Sequence, residues 1–219
     1  MIEINSQFRT ANLNEADRHD LNRIGSELNV YEGPFSFSDV PLCESGMSLR
    51  TADELEGLAS DDYPNLLNDE ILSHFLSTID QLIQRVRGHF SNVLQGHFPN
   101  SANISKAFID DDDSDDLFHI DTGGSLMILA FGGVAKTECV SGKIWVDKTE
   151  FYNGQDELNF HKSTVSAIEN NTACCTAIDN ANPVLLNDHS DHRRGSIIVP
   201  GWRTLLTFRF NDIDLLSMT

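Results

Sequence analysis

From Leu117 to Phe210 the chain breaks into short apolar, β-favouring runs separated by turn residues. This pattern restricts the fold more than any other feature. Candidate strands are Ser125–Phe131, Ser141–Val146, Thr172–Ile178, Pro183–Leu186, Ser196–Val199 and Arg203–Phe210. Gly132-Gly133, Asn153-Gly154, Asn180–Pro183 and Pro200-Gly201 punctuate them. With no helix read between them, strands this short close into a sandwich or a barrel.

Upstream the pattern is mixed. Asn29-Val-Tyr31 is strand-like and Gly33-Pro34 marks a turn. One long helical signal begins near Asn68, a capping residue, with Asp69 and Glu70 suited to a first turn. Ile71, Leu72, Phe75, Ile79, Leu82, Ile83 and Val86 then follow in steps that place them on one apolar stripe. A helix laid on strands makes the expected fold mainly β, a helix-supported double-stranded β-helix of the jelly-roll, cupin-like kind. At 219 residues the chain suits a single domain, 1–219. Residues 1–100 read as mixed helical and strand support, and 117–210 as the core.

The formal charge of −19 repels phosphate backbones and anionic membranes, which speaks against nucleic acid and membranes as partners, while one small domain suggests a small-molecule substrate. Asp110-Asp-Asp-Asp-Ser-Asp-Asp116 places six carboxylates in seven residues and reads as a solvated loop. As a calcium site it lacks the glycine and distal glutamate of an EF-hand loop. Cys43, Cys139, Cys174 and Cys175 show no metal-binding spacing, so reduced thiols in a cytoplasmic protein are expected. No apolar run approaches the ~20 residues that span a bilayer. Met1-Ile-Glu-Ile-Asn-Ser-Gln7 has neither the basic start nor the apolar stretch of a secretory signal.

The chemistry-bearing residues begin with Phe118-His-Ile-Asp-Thr122. In an extended segment, residues two apart face the same way, so the His119 imidazole and the Asp121 carboxylate can converge on one ion. A second His-x-Asp, His189-Ser-Asp191, leaves only the adjacent His192 downstream. His119 instead precedes a glycine pair and the Ser125–Phe131 strand, and is the better early ligand. For a late ligand the candidates are His161, His189 and His192. His161 reads as a strand or loop histidine. His192, ahead of Gly195, Pro200-Gly201 and the last strand, is preferred. Two histidines and one carboxylate on one side of a metal form the facial triad of non-haem Fe(II) oxygenases.

Eleven residues beyond His192 lies Arg203 (203 − 192). Alternation along the last strand sets Arg203, Leu205, Thr207 and Arg209 on one face, and Thr204, Leu206, Phe208 and Phe210 on the other. The second face suits a packed core. On the first, a planar guanidinium matches a carboxylate with two parallel hydrogen bonds. The alternative is that these arginines pair with the chain's own Asp and Glu.

The order His-x-Asp, His, Arg resembles the Fe(II)/2-oxoglutarate-dependent dioxygenase superfamily over about residues 117–210. The resemblance implies that His119, Asp121 and His192 ligate Fe(II), that Arg203 binds the far carboxylate of the co-substrate 2-oxoglutarate, and that Thr207 and Arg209 assist. It implies O2-dependent hydroxylation of a C–H bond, with 2-oxoglutarate converted to succinate. Relatives that halogenate carry a small residue in place of the carboxylate, so Asp121 points to hydroxylation. Arg203-Thr-Leu-Leu-Thr-Phe-Arg209 is also similar to the terminal motif of AlkB-type nucleic-acid demethylases, whose substrate the acidic charge disfavours. Leu205 stands where many members carry Ser or Thr. Asn103, Ser105 and Lys106 lie where a further polar co-substrate contact is expected. The substrate implied is a small metabolite, such as an amino acid or derivative, with a peptide or protein side chain as the alternative. The rival readings are a cupin enzyme that uses metal without 2-oxoglutarate and a non-catalytic jelly-roll binding protein.

Overall fold

A computed structural model of the chain describes residues 1–11, 13–30, 33–43, 46–47, 69–110, 117–121, 123–147, 157–188, 190–211, 213 and 215–216. Among the described residues twelve strands run β1 Ile2–Ser6, β2 Phe8–Thr10, β3 Phe35–Cys43, β4 Gly46–Met47, β5 Ser101–Ile109, β6 His119–Ile120, β7 Gly124–Phe131, β8 Ala135–Val146, β9 Ala173–Ile178, β10 Val184–Leu186, β11 Asp191–Ile197 and β12 Gly201–Asn211. The helices are α1 Glu15–Ser26, α2 Asp69–His89, α3 Ser91–Leu94 and α4 Glu157–Glu169, with a 3₁₀ turn at Glu27–Val30.

The strands form two antiparallel sheets. The smaller has the order β1-β8-β11-β6, with β9 also on β8, and the larger has the order β2-β10-β7-β12-β5-β3-β4. The first hundred residues therefore supply strands to both sheets as well as helices.

Side-chain alternation in β12 works as its sequence requires. Leu206, Phe208 and Phe210 are buried on one face with Leu21 and Ile24 of α1 and Ile79, Leu82, Ile83 and Val86 of α2. Burying each such side chain contributes about 1.5–3 kcal/mol. On the opposite face Leu205 packs with Leu126, Ile128, Val184 and Leu186 of its own sheet and with Cys139 and Ile178 of the other. That layer, between the sheets, makes the molecule a β-sandwich with helices on the outside of the larger sheet. Every residue of β7 is buried because both of its faces are covered, which is why it reads as an unbroken apolar run.

Several elements differ from the sequence reading. Helix α1 was not expected, because its buried face consists only of Leu21, Ile24 and Gly25. A Cβ on Gly25 would lie 2.4 Å from the Phe131 ring, so the glycine is what lets the helix approach the sheet. Its start is nonetheless marked chemically: the Asp17 N–H donates to Asn14 Oδ1 at 2.9 Å. Asn29 and Val30 lie in the 3₁₀ turn rather than a strand, and Tyr31 falls outside the described residues.

Helix α4 interrupts the strands where none was expected. Its packed stripe, with Thr164 and Ala167 buried and Phe160 and Ile168 partly buried, has helical spacing, but a threonine in the middle disguises the period. The strand placed at Ser196–Val199 is instead Asp191–Ile197, with Ile198 and Val199 exposed in the turn after it. Alternation there is masked by the charged pair Arg193-Arg194. The expected cap Asn68 and residues 111–116 of the acidic run fall outside the described residues. Cys139, Cys174 and Cys175 carry no disulfide. Among the described residues no helix is long and apolar enough to cross a membrane.

Candidate metal centre

Strand pairing brings the expected ligands together. In the β6–β11 ladder His192 stands opposite His119, and in the β11–β8 ladder His192 stands opposite Cys139. Paired residues share a face, so both imidazoles point with Cys139 into the space between the sheets. The two rings lie 4.4 Å apart, centroid to centroid, and tilted by 53°. Asp121, two residues after His119, returns to the same side, and its Oδ2 lies 3.5 Å from His192 Nε2. One donor atom from each of His119, Asp121 and His192 falls within 4.8 Å of the others.

The ring nitrogens are already sorted. His119 Nδ1 lies 3.0 Å from the Leu117 carbonyl and His192 Nδ1 lies 3.3 Å from the Ser190 carbonyl. Each Nδ1–H donates to a carbonyl two residues back, which leaves the Nε2 lone pair for a metal. His192 is only 6% exposed. Burial, reinforced by the neighbouring His119 and opposed by Asp121, pushes its pKa down to about 4, so the ring is neutral, as a ligand must be.

Arg209 takes up the other carboxylate oxygen: its Nη2 lies 3.4 Å from Asp121 Oδ1. Arg203, on the same face of β12, reaches across the sandwich and donates from Nη2 to Thr137 Oγ1 of β8 at 3.2 Å. Its Nε is buried and has no hydrogen-bond partner among the described residues. Burial and the nearby Arg194 lower its pKa to about 10, so it remains a cation at neutral pH. Thr207 lies between the two arginines on that face, opposite Asn103 of β5.

Of the three upstream polar candidates, Asn103 and Ser105 share the inner face by register with Thr207 and Leu205. Lys106, paired with Thr204, takes the helix side. Asn103 Oδ1 is occupied by the Asp39 N–H at 2.8 Å. Lys106 is 3% exposed, its ammonium 5.0 Å above the Trp202 ring.

The remaining histidine candidates separate clearly. His189 falls outside the described residues. His161 is helical, not in a strand or loop, and lies behind the ligand strand: its Nδ1 accepts the Phe118 N–H at 3.2 Å. Burial and Arg193 lower its pKa.

Asp191, adjacent to His192, points the opposite way. Its Oδ2 is 2.5 Å from Thr164 Oγ1, its Oδ1 is buried with no partner among the described residues, and burial raises its pKa to about 8. Asp188 Oδ1 accepts the N–H groups of Gly123 at 3.2 Å and Gly124 at 3.3 Å, tying down the chain just after Asp121. Sequence reading missed Thr164, Asp188 and the roles of Asp191 and His161. Each acts on a residue distant in sequence, which no local pattern signals.

The donor set is suited to a transition metal of the Fe or Zn type: two neutral imidazoles and one carboxylate. Ligands about 2.1 Å from one ion stand roughly 3 Å apart when adjacent, close to the 3.5 Å between Asp121 and His192. In comparison with known proteins, no family model and no curated sequence matches the chain.

Proposed function

We propose that the chain is an Fe(II)- and 2-oxoglutarate-dependent dioxygenase on a double-stranded β-helix, hydroxylating a C–H bond of a small metabolite such as an amino acid or derivative. The observation that carries this reading is the convergence of His119, Asp121 and His192 with both Nε2 atoms left free. The buried, unpartnered Nε of Arg203 adds to it, since an interior guanidinium with a spare donor suits an anionic group.

In this reading His119, His192 and Asp121 hold the metal. Bound Fe(II) supplies the activation of O2 that couples 2-oxoglutarate oxidation to C–H hydroxylation. Arg203 neutralises the far carboxylate of 2-oxoglutarate, and Thr207 lies beside its path. Arg209 holds Asp121 turned so that one oxygen faces the histidines. Leu126, Ile128, Val184, Leu186 and Leu205 keep water from the floor of the site.

Anaerobic titration with Fe(II), then with 2-oxoglutarate, is the test. A visible charge-transfer band that needs both additions, and succinate formation in air, are expected. Fe(II) binding without a response to 2-oxoglutarate would indicate a cupin-type metal enzyme instead. Absence of the band together with unchanged Fe(II) affinity in His119→Ala would sink the reading.

A further inference from the structure

The strand that carries His119 is too weakly paired to hold it alone. Strand β6 is two residues long, lies at the edge of its sheet and, among the described residues, meets β11 only at His119↔His192 and Ile120↔Asp191. An edge strand this short is marginal without other support. Yet both histidines have the same local arrangement, in which Nδ1 faces the carbonyl two residues back and the intervening residue is held from behind.

For His119 the intervening residue is Phe118, whose N–H donates to His161 Nδ1 at 3.2 Å. The His161 ring stacks on the Phe118 ring, 5.6 Å between centroids and 22° between planes. The Arg193 guanidinium also lies over that ring, at 4.2 Å, with Glu138 fixing its Nε at 2.7 Å. For His192 the intervening residue is Asp191, hydrogen-bonded to Thr164 Oγ1 at 2.5 Å. The Asp191 N–H also donates to Ser6 Oγ at 2.8 Å, and that hydroxyl donates in turn to the Val140 carbonyl at 2.7 Å.

His161 and Thr164 are three residues apart on α4, one helical turn, and so lie on one face. The helix itself is seated on the outside of the smaller sheet, with Ala167 buried among Val140, Ile144 and Ala173.

We infer that α4 is a clamp that sets the two ligand histidines relative to each other, with His161 and Thr164 as its positioning residues. In a strand the residue before a histidine points to the opposite face. Holding Phe118 and Asp191 from behind therefore fixes the rotation of both strands, and with it the direction of both imidazoles. Because one rigid helix holds both, the histidines move together or not at all. This inference rests on the metal-site reading above for its purpose, though not for its geometry.

The test uses the full chain carrying Thr164→Val, His161→Phe, and both together. Thr164→Ser and His161→Asn, which keep a hydroxyl and an acceptor, serve as rescue variants. Circular dichroism confirms that each is folded. Co(II) affinity, read by absorption titration, should fall about 10-fold or more in the double variant and recover in the rescues, as for other groups that orient metal ligands. In metal-free protein, long-range 1H–15N spectra should show His119 and His192 as single Nδ1–H tautomers in the wild type and as mixtures in the Val and Phe variants. Should the double variant fail to fold, the single variants carry the same comparison. Folded variants with unchanged Co(II) affinity and unchanged tautomers would overturn the inference. If wild type binds neither Co(II) nor Fe(II) but the tautomers still mix in the variants, the metal reading falls and the clamp stands.

Discussion

Arg209 Nη2 lies 3.4 Å from Asp121 Oδ1, while the other oxygen of the same carboxylate lies 3.5 Å from His192 Nε2. The guanidinium thus divides the work of Asp121. One oxygen is held by a cation from the opposite sheet and the other faces the histidines. A carboxylate so held presents a single oxygen to a metal and does not need to rotate on binding.

Replacing Arg209 should therefore loosen the metal site more than the fold. The pair is partly exposed, so Arg209→Met should cost at most about 1 kcal/mol in stability. Fe(II) affinity should fall about 10-fold, as for other groups that orient a ligand. Paired thermal melts and anaerobic titrations measure both. Equal affinity in the variant would mean that Asp121 needs no such support.

Arg203 should behave in the opposite sense. It is a partly buried cation whose one described hydrogen bond goes to Thr137, and its enclosed Nε has no described partner. Arg203→Met removes a group that is costly to bury, so the melting temperature should hold or rise. Binding of 2-oxoglutarate should weaken about 10- to 100-fold, matching the 1.5–3 kcal/mol of a hydrogen bond to a charged group. A large loss of stability with unchanged co-substrate binding would make Arg203 a structural residue.

Asp191 gives a pH-dependent prediction. Burial raises its folded pKa to about 8, well above the ordinary carboxylate value of 3.8. Between those two values the folded state holds a proton that the unfolded state has lost, so stability attributable to this group falls as pH rises from about 4 towards 8. Asp191→Asn keeps the shape and cannot ionise. The stability of the wild type relative to Asp191→Asn, from denaturant melts, should decline across that window and level off above it. A difference that stays flat with pH would show that Asp191 is already ionised in the folded protein.

Phe208 tests the larger core. It is 1% exposed and packs in the core between β12 and the helices α1 and α2. Phe208→Ala should cost about 3–5 kcal/mol. A loss under 1 kcal/mol in urea unfolding would mean that the helices do not pack on this sheet as described.

Features that depend on neighbours a few residues apart were legible in the sequence. The alternation that divides Leu206, Phe208 and Phe210 from Arg203, Thr207 and Arg209 arises within one strand, and the α2 stripe from Ile79 to Val86 arises within one helix. The convergence of His119 and Asp121 likewise follows from two-residue spacing alone. Where the periodic signal was diluted, by Thr164 in α4 or by the sparse apolar face of α1, the element itself was missed.

Placing His192 directly across from His119 was decided only by the tertiary structure. Strand register depends on which faces of distant segments compete for the same buried layer, and no local period encodes that. The same holds for Arg209 meeting Asp121 across the sandwich, and for His161 and Thr164 reaching the backs of the two ligand strands. Those contacts join residues far apart in the chain, so they exist only once both sheets and α4 have packed.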